Sequence, residues 1–218
     1  MAVGTYSELK AAVANWMARS NLTARIPEFI TLGDADIHYG VRGGDAWLSE
    51  PLRTRAMETT DSAFTVSART AALPTGFIGV RRLYLEGTPK ITLALKTADD
   101  LWREDPSTTG QPSAYAIEGE NMVFSPAPDT TYTGNLLYTK RFTALSADAD
   151  TNWLLANHPG VYLFAALYEA WSFSAQESLA RGYLDKLAAA VNGLNAVSER
   201  EKYSGAPLIM RTDSRQVV

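Results

Sequence analysis

The spacing of apolar residues changes twice along the chain, from a helical period to strict alternation and back again. Near the start, Leu9, Val13 and Met17 recur every four residues behind Thr5 and Glu8. A Thr followed three residues later by a Glu is the capping box that begins many helices. This pattern predicts a first helix over residues 6–19. Helical spacing then predicts a second helix, from residue 24 or 27 to about residue 38.

Short alternating runs of β-branched and aromatic residues occupy the middle of the chain. They predict strands over residues 57–60, 64–68, 77–85, 91–95, 114–118, 122–125 and 131–142. Residues 86–89 and 119–121 have the composition of hairpin turns. Thr97 is placed to cap a short helix that runs to about Glu104. Residues 56–149 are therefore predicted to form a small antiparallel β domain.

A glycine-rich segment separates this region from the second predicted helix. Gly40, Gly43 and Gly44 lie within five residues of one another. Glycine loses more backbone entropy on folding than any other residue. Residues 40–45 are therefore predicted to be a flexible loop.

The helical period returns near residue 152, in the most apolar stretch of the chain. Glu169 is the only charged residue between Val161 and Trp171. This stretch is shorter than the roughly 20 apolar residues that span a bilayer, so it predicts a buried helix instead. A short helix over residues 152–157 should precede it and a long amphipathic helix over residues 175–203 should follow. The side chains expected in the core are Tyr162, Phe164, Leu167 and Trp171. The stripe expected on the long helix is Leu179, Tyr183, Leu187, Val191 or Ala190, Leu194 and Val197.

These elements predict an α+β fold in four parts. Residues 1–55 and 150–203 supply the two halves of a helical bundle, because neither half can cover its own apolar face alone. The β domain of residues 56–149 is inserted between them. Residues 204–218 are predicted to be an extended tail.

Composition excludes several kinds of chemistry. The 218-residue chain has a net charge of -4 and no cysteine, which excludes disulfides, thiolate metal sites and a cysteine nucleophile. It has no dense run of Lys or Arg, so tight binding to a nucleic-acid backbone is not expected. The first residues lack the pattern of a secretory signal, so we expect the protein to be made and to fold in the cytoplasm.

The candidate catalytic and metal-binding residues are few. His38 lies four residues after Asp34, but the only other histidine is His158, and a metal site needs three or four ligands. No phosphate-binding or nucleophile motif is present, so we predict no catalytic residues, metal or cofactor. The alternative is a carboxylate pair of the kind glycosidases use, although surface acids are the preferred interpretation. The candidates by residue type are Glu50, Glu58, Asp99, Asp100, Glu104 and Glu118.

Arginines in or near the strands and the glycine-rich segment are candidate contacts with other subunits. Adjacent Arg81 and Arg82 should point to opposite faces of a strand, so one is expected toward the packed face, where it would form an ion pair. An ion pair within the sheet and a contact with a partner subunit both remain open. The full set of possible inter-subunit residues is Arg42, Arg53, Arg55, Arg81 and Arg82.

The predicted tail is polar except for one apolar run, which makes it a candidate partner-binding segment. Extended segments with such a run add a strand to a partner sheet or fill a groove. Folding back on the same subunit is an equally open alternative. The residues concerned are Pro207, Leu208, Ile209, Met210 and Arg211.

Three segments of the chain resemble the head–tail adaptor family of short-tailed double-stranded DNA phages, whose members are also called connectors or tail accessory factors. They are residues 5–30 together with 55–58, residues 151–159 running into the aromatic helix, and residues 200–205 followed by Pro207 and Leu208. The segment 39–51 departs from the resemblance, because it is longer and richer in glycine.

The resemblance implies a structural virion protein, not an enzyme. Such adaptors form a ring of about twelve copies beneath the portal protein, at the head–tail junction. The ring extends the channel through which double-stranded DNA passes during ejection, without sequence-specific binding, and presents a platform for the tail or nozzle protein. Assembly in the host cytoplasm, no membrane contact and a tail that touches the portal or a neighbouring subunit are also implied. The alternatives are a tail-associated peptidoglycan hydrolase and another tail-completion protein.

Overall fold

The computed structural model describes residues 3–43, 46–103 and 108–202, with helices at both ends and strands between them. The helices are α1 (Tyr6–Met17), α2 (Ile26–Tyr39), α3 (Ala98–Arg103), α4 (Trp153–Asn157), α5 (Pro159–Phe173) and α6 (Glu177–Lys202). The strands are β1 (Val41–Gly43), β2 (Ala46–Ser49), β3 (Glu58–Val66), β4 (Thr70–Ala72), β5 (Phe77–Leu85), β6 (Ile91–Thr92), β7 (Ala94–Leu95), β8 (Thr109–Gly110), β9 (Ala114–Glu118), β10 (Asn121–Ser125), β11 (Ala127–Pro128) and β12 (Tyr132–Lys140). The predicted α+β class is confirmed.

The predicted capping box begins α1. The Thr5 hydroxyl oxygen accepts a hydrogen bond from the Glu8 amide at 3.3 Å, and the Glu8 carboxylate accepts one from the Thr5 amide at 3.2 Å. The helix ends at Met17, two residues before the predicted end, because Ala18 adopts a left-handed conformation with φ 51°. Pro27 lies in the first turn of α2, where its missing N–H costs nothing.

The prediction of a flexible loop after α2 is wrong at residues 41–43, because they form strand β1, which pairs antiparallel with β2. Val41 pairs with Ser49, and Gly43 pairs with Ala46. Gly40 has φ 78° and packs so tightly that a Cβ added there would lie 2.6 Å from the Trp47 ring. Glycine at this position therefore allows a sharp exit from α2 and a close approach to the hairpin.

Helix α5 is the centre of the helical core, as its apolar sequence predicted. Tyr162, Leu167 and Trp171 are buried and Phe164 is partly buried, in one core with side chains from α1, α2, α4 and α6. The backbones of α2 and α5 approach closely, because a Cβ added to Gly33 would lie 2.9 Å from the Ala165 Cβ and 3.0 Å from its carbonyl carbon.

The predicted stripe on α6 is confirmed at its centre and wrong at its ends. Leu187 and Val191 are buried, whereas Leu179 and Val197 are exposed. The buried face follows Ala180, Leu184, Leu187, Val191 and Ser198. The buried face of α6 thus has a small residue, Ala180, at one end and a polar residue, Ser198, at the other. A search for large apolar side chains overlooks both.

Four of the twelve described strands form two two-stranded sheets, β1-β2 and β8-β11, and the other eight form two four-stranded sheets. Their strand orders are β3-β12-β5-β6 and β4-β10-β9-β7, and β7 pairs in parallel with β9, as β8 does with β11. The predicted segments 57–60 and 64–68 belong to one continuous strand, β3, and the predicted strand 91–95 divides between the two sheets. The strands predicted over 77–85 and 114–118 have the observed bounds.

A second core lies between the two sheets, separate from the helical core. It contains Val66, Leu83 and Leu85 of the first sheet and Met122 and Phe124 of the second. On the other face of the second sheet, α3 places Leu101 against Ala114, Ala116 and Val123. Residues 114–116 of β9 and 122–124 of β10 are therefore buried on both faces, which explains why these two runs are apolar without alternation.

The chain leaves and re-enters the helical part at neighbouring residues of α2. The Leu52 amide donates to the Ile37 carbonyl at 2.9 Å, and the Phe142 amide donates to His38 Nε2 at 3.2 Å. Division of the chain into the four predicted parts stays a prediction, and the predicted tail lies outside the described residues. Among those residues, the helices are all too short or too polar to cross a membrane.

Candidate functional site

A buried polar junction joins α2, α5 and the segment that follows β12. Arg141 Nη2 lies 2.6 Å from Asp34 Oδ2, and the Tyr162 hydroxyl donates to Asp34 Oδ1 at 3.0 Å. The Tyr162 oxygen in turn accepts from Asn152 Nδ2 at 2.9 Å. Asn152 also caps α4 by accepting from the Leu155 amide. Three separate stretches of chain therefore meet at the Asp34 carboxylate, and Asn152 joins them through Tyr162.

His38 is fully buried in this junction, and both of its ring nitrogens have partners. Nδ1 lies 2.8 Å from the Asp34 carbonyl oxygen and 3.3 Å from Asp34 Oδ1. Nε2 accepts the Phe142 amide, which assigns the ring proton to Nδ1. Across the described ranges, no three His, Asp or Glu side chains cluster closely enough to hold a metal ion.

The Asp34 carboxylate stays ionised in this junction, where it forms an ion pair with Arg141. Burial by itself would raise the pKa of Asp34, but hydrogen bonds from His38, Arg141 and Tyr162 outweigh it and lower that pKa. Burial and the nearby Asp34 carboxylate raise the pKa of Tyr162, which stays a neutral donor. Each of these side chains is hydrogen-bonded to another group of the junction. The arrangement therefore suits holding α2, α5 and the segment after β12 together rather than transferring a proton to a substrate.

A second polar contact, between Asp36 of α2 and Glu169 of α5, joins the same two helices. Sequence reasoning did not predict it. Burial, followed by a hydrogen bond and charge repulsion from Glu169, raises the pKa of Asp36 to about 8. Two carboxyl groups this close share a proton, because both cannot ionise at low cost. The sequence feature that could have indicated this contact is Glu169, the only charged residue between Val161 and Trp171.

Arg53, a predicted inter-subunit residue, makes its contacts within the subunit. Its Nη1 donates to the carbonyl oxygens of His38 at 2.9 Å and Leu52 at 2.6 Å. Its amide donates to Asn195 of α6 at 2.7 Å. Arg53 thus covers a free carbonyl at the end of α2 and connects α2 with α6.

The remaining predicted arginines are exposed: Arg42 lies on β1, Arg55 lies just before β3, and Arg81 and Arg82 both lie on β5. Arg55 pairs with Glu201 at 3.6 Å, and Arg81 pairs with Glu58 at 3.2 Å. The Arg42 guanidinium lies 4.3 Å from the Trp47 ring centre, and that of Arg82 lies 5.4 Å from Tyr84. Their predicted roles in subunit contacts stay predictions.

The expectation that Arg81 or Arg82 faces the packed side of the sheet is wrong, because both are exposed. In the register between β12 and β5, Leu137 lies opposite Arg82 and the next residue, Tyr138, lies opposite Val80. Arg81 therefore lies opposite no residue of β12. An extra residue of this kind is a β-bulge, which breaks the alternation of side chains along the strand.

The candidate acids of the alternative hydrolase hypothesis are spread over several elements, with Asp99 and Asp100 both on α3. Glu58 of β3 is paired with Arg81, Asp100 of α3 accepts from Thr97 at 2.7 Å, and Glu118 of β9 accepts from Trp102 at 3.0 Å. Glu50 and Asp99 are exposed, and Glu104 lies outside the described residues. A cavity of about 520 Å³ between β4, β5 and the β9–β10 turn is lined by Glu120 and otherwise by uncharged residues.

Exposed tryptophans are the most distinctive surface feature, and sequence reasoning did not single them out. Four of the five tryptophans are between 40% and 50% exposed, namely Trp16, Trp47, Trp102 and Trp153. Two carry an arginine on the ring, Arg42 on Trp47 and Arg69 on Trp102 at 4.7 Å. Trp and Arg are the residues most enriched at the energetic centres of protein interfaces.

Comparison with known proteins gives one family. The model of the SU10 adaptor protein family matches residues 4–211. The match covers both helical parts, the strands between them and the candidate segment Pro207, Leu208, Ile209, Met210 and Arg211, which itself lies outside the described residues. No curated protein matches the chain. Because the match spans nearly the whole chain, this protein belongs to the SU10 adaptor protein family and is a phage adaptor, a structural component of the virion.

Proposed function

We propose that this adaptor forms a ring beneath the portal protein, extends the DNA channel and provides the platform on which the tail or nozzle protein assembles. The observation that carries this is the family match over residues 4–211. A net charge of -4 supports it, since a mildly acidic channel wall lets DNA pass without adsorbing it.

The surface composition supports repeated protein contacts. An exposed Trp adds apolar surface, and a partner that covers this surface removes it from water and so stabilises the complex. Trp47 and Arg42 lie together on the β1–β2 hairpin, and Trp102 and Arg69 meet where α3 covers the second sheet. We assign these two pairs, with Arg55, Arg81 and Arg82, to contacts between neighbouring copies or with other virion proteins.

Electron microscopy of the purified protein mixed with its portal tests the ring directly. A ring that matches the portal's symmetry and lies below it is the expected image. Attachment only at the far end of the tail would instead favour a tail-completion protein.

Two variants probe the hairpin contact. Trp47→Ala together with Arg42→Ala should leave the helical core folded, because both side chains lie on the exposed hairpin, and should weaken ring assembly at least tenfold. Arg181→Ala is the control, since Arg181 is exposed and forms an ion pair with Asp185 on its own helix. Equal assembly of both variants would contradict the assignment of the hairpin to an interface.

The tail is proposed to contact the portal or a neighbouring subunit through Leu208, Ile209 and Met210, flanked by Pro207 and Arg211. Deleting residues 206–218 should leave the rest of the chain folded and abolish portal binding. Full portal affinity in the deleted protein would show that this segment is not the contact.

A further inference from the structure

A groove of about 410 Å³ lies between the C-terminal part of α6 and strand β5. Ser198 and Glu199 line it from α6, and Ile78, Gly79 and Val80 line it from β5. The groove thus lies beside the point at which the chain leaves its last described helix.

One wall of this groove is an open strand edge. Strand β5 pairs with β12 on one side, but on its other side only Tyr84 and Leu85 pair with β6. Within the described residues, no strand pairs with that side of β5 from residue 78 to 82. Its outward N–H and C=O groups are therefore a template for one more strand.

A buried hydroxyl in the groove also lacks a partner. Thr54 is only 7% exposed and lines the groove, yet its Oγ1 makes no hydrogen bond to any described residue. Leaving such a group unsatisfied costs roughly 1–3 kcal/mol.

We propose that, in the free subunit, residues 207–211 of the same chain dock in this groove as an added strand beside β5. Helix α6 is described to Lys202, and the four residues that follow reach about 14 Å when extended, enough to bring residue 207 back to the groove. Five residues then match the five positions 78–82 of the open edge.

The sequence of the segment fits an edge strand. Pro207 has no N–H and suits the first position of such a strand. Side chains alternate along a strand, so Leu208 and Met210 share one face and can cover Ile78 and Val80. The arrangement is strand addition by a segment of the chain itself.

This docking concerns the subunit before it meets a partner, so it goes beyond the proposed portal contact. A partner that binds the same segment would first have to displace it from β5. The tests below use the isolated protein, and their outcome is therefore independent of whether portal binding occurs.

Hydrogen exchange on the full-length protein tests occupation of the edge. Amides in residues 78–82 should exchange at least tenfold faster in the variant Leu208→Asp with Met210→Asp than in the unchanged protein. Val217→Asp with Val218→Asp is the matched control, because it adds the same charge to the tail outside the proposed strand. Identical exchange at 78–82 in all three proteins would overturn the docking.

Cysteine pairing tests whether the segment belongs to the same chain. The chain has no cysteine, and a Cβ at Gly79 meets no atom within 4 Å, so Gly79→Cys with Ile209→Cys introduces a clean pair. A disulfide within the monomer is expected on mild oxidation. Gly182→Cys with Ile209→Cys is the control, since Gly182 lies about 30 Å along α6 from Lys202. A disulfide found only between two chains, or equal yields for both pairs, would overturn docking in the same subunit.

Discussion

Arg141 Nη2 lies 2.6 Å from Asp34 Oδ2, so the segment that leaves the last long strand is held to α2 by a partly buried ion pair. Removing one partner of such a pair leaves the other charge poorly compensated. Arg141→Met should therefore lower the free energy of unfolding by about 2 kcal/mol, measured by urea denaturation.

The control for that variant is Arg181→Met, which removes the same type of pair from the exposed face of α6. Arg181 lies 3.2 Å from Asp185, with both side chains more than 60% exposed. Its loss should cost no more than about 0.5 kcal/mol. Equal losses in the two variants would mean that the junction at Asp34 contributes no more than a surface pair.

The acid stability of the protein should depend on Asp34. Its pKa in the folded protein is lower than the ordinary value of 3.8, so its stabilisation is present above that value and is lost as the pH falls through the lowered pKa. The stability difference between the unchanged protein and Asp34→Asn should be largest near pH 7 and shrink toward pH 2. A difference that stays constant in urea titrations across this range would contradict this account.

Asp36 should have the opposite effect on pH dependence. Its pKa rises from 3.8 to about 8 on folding, so the folded protein holds a proton that the unfolded chain releases at lower pH. This contribution to stability should fall as the pH rises from 4 to 8 and level off above 8. Asp36→Asn should flatten that decline and be more stable than the unchanged protein at pH 8.5. Asp99→Asn, an exposed acid on α3, should leave the decline unchanged.

Gly33 should tolerate no larger residue, because α5 backbone atoms lie within about 3.0 Å of where its Cβ would be. Gly33→Ala must push α2 and α5 apart, and we expect a loss of roughly 1–3 kcal/mol in unfolding free energy. Gly182→Ala has open space around the new Cβ and should instead stabilise α6 by about 0.5–1 kcal/mol. Thermal denaturation of the two variants gives shifts of opposite sign if packing is the cause.

Local sequence patterns were sufficient for most elements, because their causes lie within a few residues. Thr5 and Glu8 define the start of α1, and Gly119 with φ 59° lies in the predicted turn between β9 and β10. The β1–β2 hairpin was missed because glycines also allow close packing, as Gly40 does against Trp47.

The contacts of the polar junction could not be predicted from spacing. The proximity of Asp34 and His38 follows from their separation on one helix, but Arg141 and Tyr162 reach them from distant parts of the chain. Strand β5 is paired along one edge by β12 but only at Tyr84 and Leu85 along the other edge by β6. This difference results from the order of strands in the sheet, which the sequence of a single strand does not encode.

The two ends of the strand-rich segment are attached to adjacent residues of α2, through Leu52 to Ile37 and through Phe142 to His38. A segment whose ends are neighbours can be lengthened, shortened or exchanged without separating the helices that carry it. The sheets can therefore differ between related adaptors while the helical core that carries them stays the same.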